Sequence, residues 1–261
     1  MLVDSHCHLD RVNLKPYEQD FSRFMGATRD SGVAHLLCVS IDLEHYPKMR
    51  SLVDPFPSVS VSVGVHPNEP HRRDPEPGEL VELAQDPRNV AIGETGLDYF
   101  RSEGDLRWQH QRFRDHVAAA RACGKPLIVH TRDAREDTLR ILRDEGARDV
   151  GGVLHCFTED WDMASRALDL GFYISFSGIV TFKNAADLRA VAAKVPLDRL
   201  LIETDCPYLT PVPYRGRPNE PRYVSEVAQC IAGLRGMDTD ELVAATGENF
   251  FRLFRAARPA G

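Results

Sequence analysis

The chain has 261 residues, 43% of them hydrophobic and 27% charged, a composition that excludes bulk disorder. No apolar run is long enough for a membrane-spanning helix. Lys and Arg number 32 against 39 Asp and Glu, a net charge of −7. That balance argues against broad, charge-driven coating of nucleic acid, yet leaves such a substrate open if bound cations supply the missing positive charge.

Met1-Leu2-Val3-Asp4 enters a strand-like segment at once, without a basic region followed by an apolar stretch, so no signal peptide is expected. Short β-branched apolar runs then recur at Leu2–His8, Ala34–Ser40, Val59–His66, Asn89–Glu94, Pro126–His130, Gly152–Phe157, Phe172–Gly178 and Leu200–Asp205. Their starts lie roughly 20 to 37 residues apart, the size of one βα unit. Helical patterns fall between them. Asp105–Cys123 places Phe113, Val117 and Ala120 on one face and stops at Gly124. Asp137–Glu145 gathers Thr138, Ile141 and Leu142 and stops at Gly146, and Asp160–Leu170 stops at Gly171. Asn184 is the expected N-cap of a helix over Ala185–Lys194. Glu69–Pro77 and Pro207–Pro221 read as long loops. No linker divides the chain, so residues 1–261 are expected to form one domain. Eight such units are the arithmetic of an α/β fold, a single (β/α)8 TIM barrel. An open doubly wound sheet fits less well, because no glycine-rich phosphate loop follows the first strand. The six cysteines (Cys7, Cys38, Cys123, Cys156, Cys206, Cys230) form no Cys-x-x-Cys pair. Free thiols in a reduced cytoplasm are expected.

Apolar runs keep ending in residue types that ligate metals: His6-Cys7-His8, His66, Glu94, His130, His155 and Asp205. In a barrel these C-terminal strand ends converge on one mouth. Any one of them has an ordinary reading, a helix cap for Glu94 or Asp205 and a satisfied core histidine for His130. Their shared position is what points to a metal site. His6 and His8, two residues apart, face the same way and Cys7 faces away. His6, His8, Glu94, His130, His155 and Asp205 exceed the needs of one tetrahedral ion and suit two divalent cations sharing a carboxylate and a hydroxide. Imidazole and carboxylate accept Mg, Mn or Zn. Cys7, Cys156 and Cys206 are expected to be small buried hydrophobes. His35, His45, His71, His110 and His116 lie off the strand ends and read as surface or helix residues.

The carrying segments are Asp4-Ser5-His6-Cys7-His8-Leu9, Gly64-Val65-His66-Pro67, Ile92-Gly93-Glu94-Thr95-Gly96-Leu97-Asp98-Tyr99, Lys125–Arg132, His155-Cys156-Phe157, Ser177–Lys183 and Glu203-Thr204-Asp205-Cys206-Pro207 running on to Pro221. Together, over Val3 to Phe254, they resemble the TatD family of metal-dependent deoxyribonucleases, within the amidohydrolase-like barrels. One departure is Cys206, where the family often has alanine. The resemblance implies His6, His8, Glu94, His130, His155 and Asp205 as metal ligands, with Glu94 bridging two ions. Family members are described as nucleases, some trimming the 3′ end of single-stranded DNA or RNA, and many relatives simply as metal-dependent hydrolases.

The expected chemistry is therefore hydrolysis of a phosphodiester. Glu94 and Asp205 are the catalytic carboxylates, and Asp205 orients the attacking water and takes its proton. Asp4 and Glu203, of the same strand parity, are expected to hold ligand imidazoles from behind. His66 is a candidate donor to a phosphate oxygen. Arg132, Lys183 and Arg215, with Arg101, Arg107 and Arg217, would form a local cationic patch. Tyr99, Phe100, Trp108, Phe157, Phe182 and Tyr214 are candidates to stack on unpaired bases. The expected partner is single-stranded nucleic acid as substrate, with no membrane and no obligate protein partner. Two rival readings are a metallohydrolase of a small ester, amide or phosphoester on the same scaffold, and a metal-binding scaffold without turnover.

Overall fold

In the computed structural model, which describes residues 1–259, each of the apolar runs contributes one strand to a single parallel sheet, and His8, His66, His155 and Asp205 lie just past the strand ends. The strands are β1 (Leu2–Cys7), β2 (Val33–Cys38), β3 (Val59–Val63), β4 (Asn89–Asp98), β5 (Leu127–Arg132), β6 (Gly152–Leu154), β7 (Phe172–Phe176) and β8 (Leu200–Ile202), adjacent in sequence order. Past β8, Asp205 N–H donates to His6 O at 2.9 Å and His8 N–H to Cys206 O at 2.8 Å, which closes the sheet into a TIM barrel. Residues 260–261, the end of the expected domain, lie outside the described residues.

The helices are α1 (Phe21–Asp30), α2 (Tyr46–Val53), α3 (Pro77–Leu83), α4 (Arg107–Cys123), α5 (Arg135–Asp144), α6 (Trp161–Asp169), α7 (Ala186–Lys194), α8 (Val224–Arg235) and α9 (Thr239–Leu253). Gly124 ends α4 in the left-handed region, as its position predicts. Asn184 does not cap α7: Ala185 holds that position and no side chain bonds to the first turn. The stretch 69–77 is a loop up to Glu76, and Pro77 opens α3 at a position where a missing N–H costs nothing.

Strand alternation divides the apolar side chains. Val3, Leu37, Val90, Ile128, Val153, Tyr173 and Leu201 pack together with Phe250 and Phe254 of α9. The opposite strand faces, such as Leu36, Cys38 and Val61, join the surrounding helices in the larger core. Asn249 of α9 donates to Leu197 O (2.7 Å) and Leu200 O (2.9 Å), which pins α9 across the N-terminal end of the barrel. The polar strand ends are left at the other end.

Of the histidines expected on the surface or in helices, His35 is instead on a strand, and His116, in a helix as expected, is buried in the core. His35 lies on β2, 1% exposed, with Nε2 at 2.9 Å from Ser60 Oγ. His116 of α4 is fully buried. Its Nδ1–H donates to Arg112 O at 2.7 Å and its Nε2 accepts from Val65 N–H at 2.9 Å. Burial pushes both imidazoles down to about 4. An imidazole whose folded pKa lies below its ordinary value binds protons more readily when unfolded. Its contribution is complete above about pH 6.5 and is lost as pH falls toward 4, at up to about 3 kcal/mol each. The urea midpoint is therefore expected to drop steeply between pH 6.5 and 4. His116→Gln, whose amide can make both hydrogen bonds, should flatten that slope, and an unchanged slope would remove His116 from the account.

Candidate metal centre

Glu94, 2% exposed, stands at the middle of the barrel mouth. Its Oε2 lies 3.3 Å from His6 Nε2 and 3.8 Å from His8 Nε2. Its Oε1 lies 2.7 Å from His155 Nε2 and 3.2 Å from both His130 Nδ1 and His66 Nε2. Asp205 Oδ1 is 3.4 Å from His8 Nε2 and 3.7 Å from His6 Nε2. One carboxylate thus faces two sets of imidazoles, one set per oxygen.

Local backbone places these groups. β4 approaches β5 so closely that a Cβ on Gly96 would sit 2.0 Å from His130 O, and Gly96 has φ +137°. Only glycine allows that approach, and it is what seats Glu94 beside His130. Asp205 adopts φ +55°, a left-handed conformation that Asp tolerates better than most residues. Its amide bond to His6 O carries the turn and brings its carboxylate over His6 and His8.

The far ring nitrogens settle the tautomers. His8 Nδ1–H donates to Val39 O at 3.0 Å, His155 Nδ1–H faces Glu203 Oε1 at 3.2 Å, and His130 Nε2–H faces Asp98 Oδ2 at 3.0 Å. With the proton held behind, each ring turns a lone pair toward Glu94. His6 stacks on His155 with centroids 3.8 Å apart. His6 Nε2 and His8 Nε2 approach to 3.4 Å. His155 Nε2 is buried and makes no aligned hydrogen bond despite its short distance to Glu94. Lone pairs converging on carboxylates without protons between them are the donor set of a cation site, and imidazole with carboxylate suits Zn, Mn or Fe. His66 differs: its Nδ1 accepts from Asn68 N–H at 3.0 Å, so Nε2 carries the proton and is a donor.

The electrostatics match. Burial pushes Glu94 up, but the neighbouring imidazoles, His155, His66 and His6 first and then His130, hold it well below the usual carboxylate range. Burial opposes ionisation of Asp205 too, and is outweighed by the adjacent His8 ring and the imidazoles of His6 and His155. Burial pushes the His155 ring down, but Glu94 and Glu203 raise it well above its ordinary value.

The structure gathers His6, His8, Glu94, His130, His155, Asp205 and His66 within one cluster, with Glu203 behind His155. It does not place Asp4 behind a ligand imidazole. A β-bulge between Asp4 and Cys7 shifts the parity of β1, so Asp4 shares a side with Cys7 and not with His6. Its carboxylate accepts from Thr204 N–H (2.9 Å) and Thr204 Oγ1 (2.5 Å), and burial pushes it up to about 8. The group behind His130 is Asp98, which the expected strand, ending at Glu94, stopped short of. β4 continues to Asp98, and the shared parity of residues 94, 96 and 98 was the available signal. Asn68 Nδ2 holds Asp98 Oδ2 at 2.7 Å. Asp98→Asn should weaken metal affinity and hydrolysis about 10–100-fold by loosening His130. A metal titration unchanged within twofold would show that His130 needs no such support.

Around the mouth, Arg132 lies 3.8 Å over the ring of Phe100 and Arg215 lies 4.0 Å over Phe182. Lys183 is exposed. Arg107 instead begins α4 and pairs with Asp105 at 2.5 Å. Phe157 is core, Trp108 sits against Arg112, Tyr214 stacks on Tyr223, and the Tyr99 hydroxyl is committed to His110 and Asp137. Of the aromatics expected at the mouth, Phe100 and Phe182 remain. Tyr208, 49% exposed and 6.1 Å from the His8 ring, was not foreseen. Cys7 and Cys206 are buried, but Cys156 is partly exposed, with Sγ at 3.2 Å from Ser177 Oγ.

Barrel and site together define a metal-dependent hydrolase. Residues 3–255 match the family described as TatD related DNase. The chain belongs to the TatD family. It is 50% identical over 256 residues to YcfH of Escherichia coli K12, described as an uncharacterized metal-dependent hydrolase, across 97% of this chain and 95% of that one. It is 32% identical over 251 residues to the 3′-5′ ssDNA/RNA exonuclease TatD of Klebsiella pneumoniae, across 93% and 95% of the two chains. The crystal structure of YJJV, a TatD homologue from Escherichia coli K12, superposes with a TM-score of 0.86 at 27% identity, covering 97% and 98%. No helix among the described residues is long and apolar enough to cross a membrane.

Proposed function

We propose that this chain removes nucleotides from the 3′ end of single-stranded DNA or RNA by hydrolysing phosphodiester bonds, within one domain and with two divalent cations. His6, His8, Asp205 and Glu94 Oε2 would hold one cation. His130, His155 and Glu94 Oε1 would hold the other. The bound cations supply Lewis acidity toward phosphate and water.

The chain's own residues do the rest. Asp205, held ionised by its imidazole neighbours and 14% exposed, is the acceptor for the proton that water loses on attack. His66 Nε2–H, 3.2 Å from Glu94 Oε1, can turn to a substrate oxygen at the edge of the cluster. Glu203 and Asp98 keep His155 and His130 in the tautomer that presents a lone pair.

The observation that carries the nucleic-acid reading is the pairing of Arg132 with Phe100, which is 61% exposed. An aromatic face beside a guanidinium offers stacking for a base and charge for the next phosphate. Arg215 over Phe182 repeats the arrangement, and the exonuclease name of the Klebsiella pneumoniae relative agrees with it. The test is hydrolysis of single-stranded DNA labelled at the 5′ end, by EDTA-treated enzyme with Mg²⁺ or Mn²⁺ restored. A metal-dependent ladder shortening from the 3′ end is expected. A stable oligonucleotide together with turnover of a small ester, amide or phosphoester would replace this reading with a small-molecule hydrolase.

A further inference from the structure

A cleft of roughly 670 Å³ opens at the end of the barrel opposite Glu94. Residues just before three strands line it: Lys125 ahead of β5, Gly151 ahead of β6 and Arg199 ahead of β8. Tyr173 of β7 lines it from the barrel, Arg148 from one side, and Arg252 and Arg255 from the end of α9. Asp149 is the one carboxylate among the lining residues, and Arg121 holds it at 2.9 Å.

Among the described residues, Arg148, Arg199, Arg252 and Arg255 form no ion pair. Arg199 Nη1 donates to Tyr173 Oη at 3.0 Å, and its guanidinium lies 5.0 Å over that ring. Arg252 Nη1 donates to Asn249 Oδ1 at 2.8 Å. Elsewhere Arg50, Arg73, Arg135 and Arg166 each meet a carboxylate, and what sets the cleft apart is that four guanidiniums without one converge there. A chain of net charge −7 has carboxylates to spare, yet this concavity collects uncompensated guanidiniums. A concave wall of low dielectric focuses their field. Guanidinium forks match phosphate oxygens two at a time.

We propose that this cleft binds a phosphate ester of nucleotide size, at a site separate from the metal centre. Two sources share that chemistry: a free nucleotide, or a phosphate segment of a nucleic-acid strand. The inference does not depend on which bond the metal centre cleaves.

The test uses the full-length, metal-loaded protein in excess Mg²⁺. ADP binding is measured by calorimetry and that of a fluorescent twelve-nucleotide oligo-dT by polarisation, for wild type and for R148Q/R252Q/R255Q. Binding at the metal centre is common to both proteins and cancels. The variant should bind ADP about tenfold or more weaker, with an unchanged melting temperature and unchanged hydrolysis of a chromogenic phosphodiester. A parallel loss of oligo-dT binding assigns the cleft to a strand, and loss of ADP alone assigns it to a free nucleotide. ADP affinity equal in wild type and variant, or no ADP binding to wild type, would overturn the proposal. Should the triple variant fold poorly, R148Q/R255Q serves in its place, because neither side chain has a hydrogen-bond partner among the described residues.

Discussion

Glu94→Gln is expected to reduce metal-dependent hydrolysis by about 10³-fold or more, equivalent to about 4 kcal/mol of transition-state stabilisation. The cause is geometric. Oε1 and Oε2 serve separate imidazole sets, so one substitution takes the anion from both. Gln leaves one carbonyl oxygen for two clusters and turns an amide N–H₂ toward imidazole lone pairs. Burial would oppose any ionised group here, and the carboxylate is held ionised by the surrounding rings. Metal content by mass spectrometry and turnover of a chromogenic phosphodiester should fall together. A variant that keeps full metal content and rate would show that Glu94 joins nothing.

Asp205→Asn separates the two carboxylates. Asn keeps an oxygen near His6 and His8, so metal binding should be partly retained. It cannot accept the proton that water sheds, so kcat should drop about 10²–10⁴-fold while KM changes little. The left-handed backbone at this position is one that Asn also tolerates, so the fold should survive. A loss confined to metal affinity and reversed by excess Mn²⁺ would make Asp205 a ligand without a role in proton transfer.

The strand starts, the α4, α5, α6 and α7 stretches and the identities at the strand ends are legible because they rest on local rules. Period-two apolar runs and glycine stops report only on neighbouring residues, and a barrel brings all strand ends of one kind to one mouth. His6, Glu94, His130, His155 and Asp205 could be grouped on that ground alone. Local pattern does not mark α1, α2, α3, α8 and α9, and α9 in particular is settled by what it covers: Phe250 and Phe254 complete a core made by strands far away in sequence.

What the sequence determined by itself was therefore the barrel and the residue types at its mouth, because both follow from short-range periodicity. Which group backs which ligand was decided by tertiary structure. Asp4 follows the expected alternation on paper, yet one extra residue in β1 turns it toward Thr204. Asp98 reaches His130 only because β4 runs on past Gly96. Likewise Arg148, Arg199, Arg252 and Arg255 are spread over more than a hundred residues of chain and share a cleft only once α9 folds across the base of the barrel. Charge and hydrogen-bond partners depend on distance through space, and that distance exists only after the barrel has closed.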